Sequence, residues 1–222
     1  MPLLTLSMLL TIPSNLMVSN VIGIDVGGIK KGFHAVHLKD SKIVSIFHHK
    51  DPLILGKWVL SKKPSIVAVD SPCGWSNNRR SREAERTLKF KDKHIPCFCT
   101  PTKAIAKKSS FYDWVFNGEK LYKVLKKLKI ETYETYPHGI TEMILNFKGD
   151  DSKIERRRKA IKKLGLTLIE HENIDFIDAA LCSLTAHAKL TNEVVCFGNK
   201  KEGYILLPVS YTHLTLPTKR IV

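Results

Sequence analysis

Hydrophobic positions fall into short continuous runs in the first third of the chain and into helical stripes towards its end. Val21-Ile22-Gly23-Ile24-Asp25-Val26-Gly27 is apolar and β-branched apart from one acid, which predicts a buried strand, and Gly27-Gly28 supplies a turn. Phe33–Leu38 partly alternates and predicts a second strand. Lys39-Asp40-Ser41-Lys42 predicts a hairpin turn, and Ile43–His48 a third strand. The two short connections imply an antiparallel trio. Pro52–Leu60 fits a short helix with Leu53, Leu55 and Val59 towards the core. Ser65–Asp70 then forms a fourth strand, and the helix before it implies a parallel crossover.

Residues 71–130 are less regular. Ser71–Asn78 and Cys97–Thr102 read as loops, and Ser81–Phe90 as a basic helix. Leu121, Val124, Leu125 and Leu128 recur at i, i+3, i+4, i+7 and predict a helix over 121–128. Glu131–Tyr136 is a fifth strand stopped by Pro137. Helices follow over 140–147 and 154–164, and the run Arg156-Arg157-Arg158-Lys159 on the second reads as a solvated face. Asn173–Leu190 is the last long helix, with Ile174, Ile177, Leu181, Leu184 and Ala188 on one stripe, and Glu202-Gly203-Tyr204 leads into a final strand. The order predicts an α/β fold: a mixed sheet of three antiparallel strands and then parallel ones, flanked by helices, with a helical insert over 71–130. That order matches the RNase H-like architecture.

Composition narrows this picture. Hydrophobic residues make up 43% of the 222, enough for one domain, expected over 17–208. Residues 1–16 are apolar but lack a basic start and contain Pro13; they are an uncertain leader, with Met17 an alternative start. Residues 209–222 have no periodicity and are expected to be a non-native tail. Thirty-six Lys+Arg against 21 Asp+Glu give a formal charge of +15, which favours a polyanionic partner, nucleic acid, and offers no membrane signal. Five cysteines, an odd number without metal-knuckle spacing, suit a reducing cytoplasm and neither a disulfide framework nor zinc. No protein partner is inferable.

The chemistry lies in acids at the ends of apolar elements: Asp25 in the first strand, Asp70 closing the fourth, Glu134 in the fifth, and Asp175 with Asp178 opening the last helix. Buried acids are costly unless paired or holding a metal. Phosphodiester hydrolysis gains most from two divalent ions about 3.5–4 Å apart, and Mg²⁺ or Mn²⁺ suits such oxygen ligands. Asp25, Asp70, Asp175 and Asp178 are the expected metal ligands. Asp25 would bridge, Asp70 and Asp178 would hold one ion each, and Asp175 or Glu134 would complete the set. Each also has a plainer role open to it: turn residue for Asp25 and Asp70, helix cap for Asp175, dipole partner for Asp178, solvent-facing strand residue for Glu134. Arg79, Arg82 and Arg86 are candidate phosphate clamps, His138 a candidate phosphate contact or proton shuttle, and Trp75 a base-stacking residue or a loop anchor.

Five segments in order resemble the domain of unknown function 429 family: Asp25-Val26-Gly27-Gly28 with Lys31–Val36, Val69–Gly74, Glu134–His138, Asp175–Ala186, and Glu202–Pro208. The resemblance covers roughly residues 20–208 and implies an RNase H-like nuclease with its acids at Asp25, Asp70, Glu134, Asp175 and Asp178. More distantly the chain resembles Holliday-junction resolvases of the RuvC type. Two other readings stand beside a metal-dependent nuclease. One is a non-catalytic nucleic-acid-binding module. The other is an actin-like or sugar-kinase-type ATP-binding protein, which requires a second, duplicated β-β-β unit.

Overall fold

The computed structural model describes residues 19–166 and 173–209; the expected leader, and the expected tail beyond Val209, lie outside these residues. Strands β1 (Asn20–Val26), β2 (Phe33–Lys39) and β3 (Lys42–His49) form the antiparallel meander. Helix α1 (Pro52–Lys62) starts on an Asp51 cap, whose carboxylate accepts from the Leu53 N–H, and crosses over to β4 (Ile66–Asp70), parallel to β1. The insert contributes α2 (Glu83–Thr87), a small hairpin of β5 (Lys89–Phe90) and β6 (Lys93–His94), α3 (Lys103–Ala106) and α4 (Asp113–Lys127). Then follow β7 (Thr132–Thr135), α5 (Pro137–Leu145), α6 (Lys153–Lys163), α7 (Ile174–Leu190), β8 (Val194–Asn199) and β9 (Gly203–Pro208).

The sheet runs β3-β2-β1-β4-β7-β9-β8, with β1, β4, β7 and β9 parallel and β8 antiparallel at the far edge. Its first five positions give the RNase H-like mixed sheet, and the β9–β8 hairpin extends it. Among the described residues there is a single three-stranded meander, so the duplication required by the ATP-binding alternative is missing. No helix among them is long and apolar enough to cross a membrane.

Four elements differ from the sequence pattern. The basic helix expected over 81–90 is only Glu83–Thr87, because the chain turns extended at Leu88 and Lys91-Asp92 adopt left-handed conformations that close the β5–β6 hairpin. Helix α4 begins eight residues before the expected one. Pro137 starts α5 as well as stopping β7, since its missing N–H is harmless in a first turn. Strand β8, a β-branched and aromatic run ahead of the turn into β9, is an addition.

Side-chain alternation divides the core. Ile22, Ile24, Val67 and Val69 pack with Leu55, Val59, Leu121 and Leu125 on the α1/α4 face. Val21, Ile66, Ala68, Val36 and Leu38 pack with Leu181, Leu184 and Ile177 on the α7 face. Gly23 lets α7 approach β1 closely: a Cβ there would lie 2.0 Å from the Ala179 carbonyl oxygen. Period two then carries Val21 and Gly23 to Asp25, on the same face, where α7 begins.

Candidate metal centre

Strand register assembles half the site. Asp25 stands opposite His34 of β2 on one side and Asp70 of β4 on the other. The first turns of α7 bring Asp175 and Asp178 across them. Asn173 caps this helix by accepting from the Asp175 and Phe176 N–H groups, so the Asp175 carboxylate is not used as a cap. Spacing of i, i+3 sets both aspartates on neighbouring rows facing the strand ends.

Two groups of potential ligands result, and they share one residue. Asp25, Asp70 and Asp178 bring carboxylate oxygens within 4.8 Å of one another; Asp25, His34 and Asp175 do the same with an imidazole nitrogen as the third donor. Crowding charges this region unfavourably. Burial, and then Asp70, Asp178 and Asp175, push the Asp25 carboxyl well above the usual range. Burial, and then Asp178, push Asp70 to about 8 against the pull of Arg157 and Lys153. Burial lowers His34 to about 4, so its ring is neutral at pH 7. A neutral imidazole and carboxylates crowded without enough counter-charge are the donor set a divalent cation needs, so the residues fit such an ion.

Basic side chains hold the outer oxygens. Lys31 Nζ donates to Asp175 Oδ1 at 2.5 Å, and Arg157 Nε to Asp178 Oδ1 at 2.5 Å, with Lys153 Nζ 3.6 Å from Oδ2. Burial lowers the Lys31 ammonium pKa, yet the hydrogen bond and charge of Asp175 leave it raised. A cavity of about 490 Å³ opens beside Asp70 and Asp178. Lys153, Arg157 and His138 line it, with the rings of Tyr136 and of Phe98 and Trp114 from the insert.

Several expected residues stand elsewhere. Glu134 belongs to neither group: Thr135 hydrogen-bonds Thr185 of α7 at 2.8 Å, so alternation directs Glu134 to the opposite face. There it accepts from Arg82 Nη2 at 2.6 Å, Arg82 Nη1 at 2.8 Å and the Cys73 N–H at 2.7 Å. Arg82, expected as a phosphate clamp, is wholly buried and also donates to Glu85 at 2.9 Å. Its charge is spent inside the protein, and Glu134 and Glu85 keep it protonated despite burial. Arg79 and Arg86 are exposed and do not line the cavity. His138 does line it, with Nδ1 3.7 Å from Glu142 Oε1. Trp75 packs on Phe116, ring centroids 4.8 Å apart, as a loop anchor.

The run 156–159 is not simply a solvated face. Arg157 is 2% exposed and bonds Asp178, while Arg156 reaches Glu142 at 2.6 Å. Sequence reasoning passed over His34, Lys31, Lys153 and Arg157. The i, i+4 spacing of Lys153 and Arg157 was a usable signal for one cationic helix row; nothing local marked His34, whose importance comes from its strand partner.

A family model described as "Protein of unknown function (DUF429)" matches residues 23–203. No curated protein matches the chain. Among solved structures, Thermus thermophilus RuvC is similar at 14% identity and a TM-score of 0.43, covering 78% of this chain and 96% of that one. T. thermophilus RuvC in complex with Holliday junction substrate gives 15% and 0.44 with the same coverage. The yeast mitochondrial Holliday junction resolvase Ydc2 gives 13% and 0.41, covering 75% of this chain and 76% of that one.

Proposed function

Given that this chain belongs to the DUF429 family, we propose from the site itself that it is a metal-dependent nuclease that hydrolyses phosphodiester bonds in nucleic acid. The observation that carries the reading is the pair of three-ligand groups sharing Asp25. Two divalent ions, Mg²⁺ or Mn²⁺, would supply an activated water and stabilise the leaving oxygen.

The chain's own residues do the rest. Asp25, Asp70 and Asp178 would hold one cation, and Asp25, His34 and Asp175 would hold the other. Lys31 and Arg157 orient the two helix aspartates by fixing one oxygen of each. Lys153, 64% exposed at the cavity, reaches towards substrate phosphate, and Arg157 adds positive potential behind it. Phe98, Trp114 and Tyr136 offer apolar surface to sugar and base. The chain's formal charge of +15 draws a polyanion to this surface.

The test is cleavage by the full chain of single-stranded, duplex, hybrid and four-way-junction substrates with Mg²⁺ or Mn²⁺, beside Asp25→Asn. Metal-dependent cleavage lost in Asp25→Asn is expected. Folded wild-type protein that cleaves none of these with either metal overturns the reading, and a binding module becomes the better account.

A further inference from the structure

The two ligand groups differ in chemistry, and that difference has a consequence for the two-ion reading on which this inference rests. We propose that Asp25, His34 and Asp175 form a site selective for first-row transition ions such as Mn²⁺ or Co²⁺ over Mg²⁺, while Asp25, Asp70 and Asp178 form an oxygen-only site open to Mg²⁺. The protein would thus carry two unequal cations.

Donor type is the first argument. Mg²⁺ takes hard oxygen ligands and dehydrates reluctantly, whereas imidazole suits Mn²⁺ less than later ions but all of them better than Mg²⁺. A buried imidazole in one group and none in the other therefore separates their preferences.

The state of His34 is the second, independent argument. The residue is 5% exposed, its Nδ1 has no hydrogen-bond partner, and its Nε2 lies 3.9 Å from Asp175 Oδ2, beyond hydrogen-bonding range. Nε2, the nitrogen that faces Asp175, therefore has no protein hydrogen bond in a buried setting, which is unfavourable unless something else engages it. The 3.9 Å gap is within the span that two metal–ligand bonds of about 2.1 Å each can bridge.

Orientation is the third. His48 lies against the ring at 4.4 Å between centroids, and Phe176 meets it edge-on at 4.9 Å. The imidazole is wedged between β3 and α7. Lys31 occupies Asp175 Oδ1, which leaves Oδ2 turned towards His34. One oxygen is thus held by an ammonium while the other stays available.

The test is pulsed electron paramagnetic resonance on the full chain titrated with Mn²⁺, read for nitrogen modulation of the bound ion, together with a count of ions by equilibrium dialysis. Wild type is expected to bind two Mn²⁺, one showing imidazole nitrogen, and excess Mg²⁺ is expected to displace the other first. His34→Gln is expected to lose the nitrogen signal and one ion; Asp175→Asn, which leaves the imidazole intact, is expected to lose the same ion. Bound Mn²⁺ without nitrogen modulation in wild type overturns the proposal but leaves an oxygen-only nuclease standing. Nitrogen modulation that persists in His34→Gln overturns it too, by assigning the signal to another histidine. No bound Mn²⁺ at all overturns both this proposal and the nuclease reading's metal site.

Discussion

Two buried groups of acids lie on opposite faces of the same sheet, and they are balanced differently. Around Arg82, the carboxylates of Glu134 and Glu85 receive three guanidinium hydrogen bonds of 2.6–2.9 Å and backbone N–H groups from Cys73 and Thr100. Nearby, Glu202 accepts from the Asn77 and Glu83 N–H groups. Around Asp25, four carboxylates converge, and the cations that reach them, Lys31, Lys153 and Arg157, engage only Asp175 and Asp178. Asp25 and Asp70 are left to protonate or to meet a divalent ion. The comparison teaches that a buried acid is not by itself a sign of function. What distinguishes the two groups is whether the protein supplies the compensating charge.

The largest effect should come from breaking the satisfied group. Arg82→Met strands two buried carboxylates and is expected to lower stability by about 3–5 kcal/mol in urea unfolding. Adding Glu134→Gln to that variant should restore part of the loss, because it removes one of the stranded charges. The same class of change in the other group should act in the opposite direction on stability. Asp25→Asn relieves repulsion, so melting in chelator is expected to rise while cleavage falls at least ~100-fold, about 2.7 kcal/mol of barrier.

A second contrast separates the groups by pH. Asp70 titrates near 8 folded against an ordinary value of 3.8, so between these pH values the folded protein holds a proton that the unfolded chain has released. Stability in chelator is therefore expected to fall as pH rises from about 4 to about 8. Asp70→Asn should flatten that slope, and saturating Mn²⁺ should both flatten it and raise the melting temperature; thermal melts across the range check each point. The smallest effect belongs to the cavity rim. Lys153→Met should change stability by less than ~1 kcal/mol, since the side chain is mostly exposed. Yet the salt dependence of duplex binding should weaken by about 0.9 in log–log slope if Lys153 contacts one phosphate.

Much of the fold was legible because its signals are local. Continuous β-branched runs marked β1 and β4, and Lys39-Asp40-Ser41-Lys42 marked the hairpin that makes the meander antiparallel. The α7 stripe marked the helix that covers them. Asp25, Asp70, Asp175 and Asp178 stood out for the same reason, as acids interrupting or ending apolar elements, and the structure gathers all four. Glu134 has the same sequence signature and a different fate. Its direction depends on which face Thr135 turns to α7, and that is set by the packing of β7 between β4 and β9.

By itself, the sequence determined the order of elements and the identity of the acids, since turn chemistry, hydrophobic period and the cost of an apolar-flanked charge act within a few residues. Only the tertiary structure decided which charges meet. Arg82 and Arg157 both come from basic runs, and one neutralises Glu134 while the other bonds Asp178. His34 becomes a candidate ligand only because antiparallel pairing sets it opposite Asp25. Electrostatic balance depends on distances between groups far apart in the chain, 144 residues for Lys31 and Asp175, and no local pattern encodes those distances.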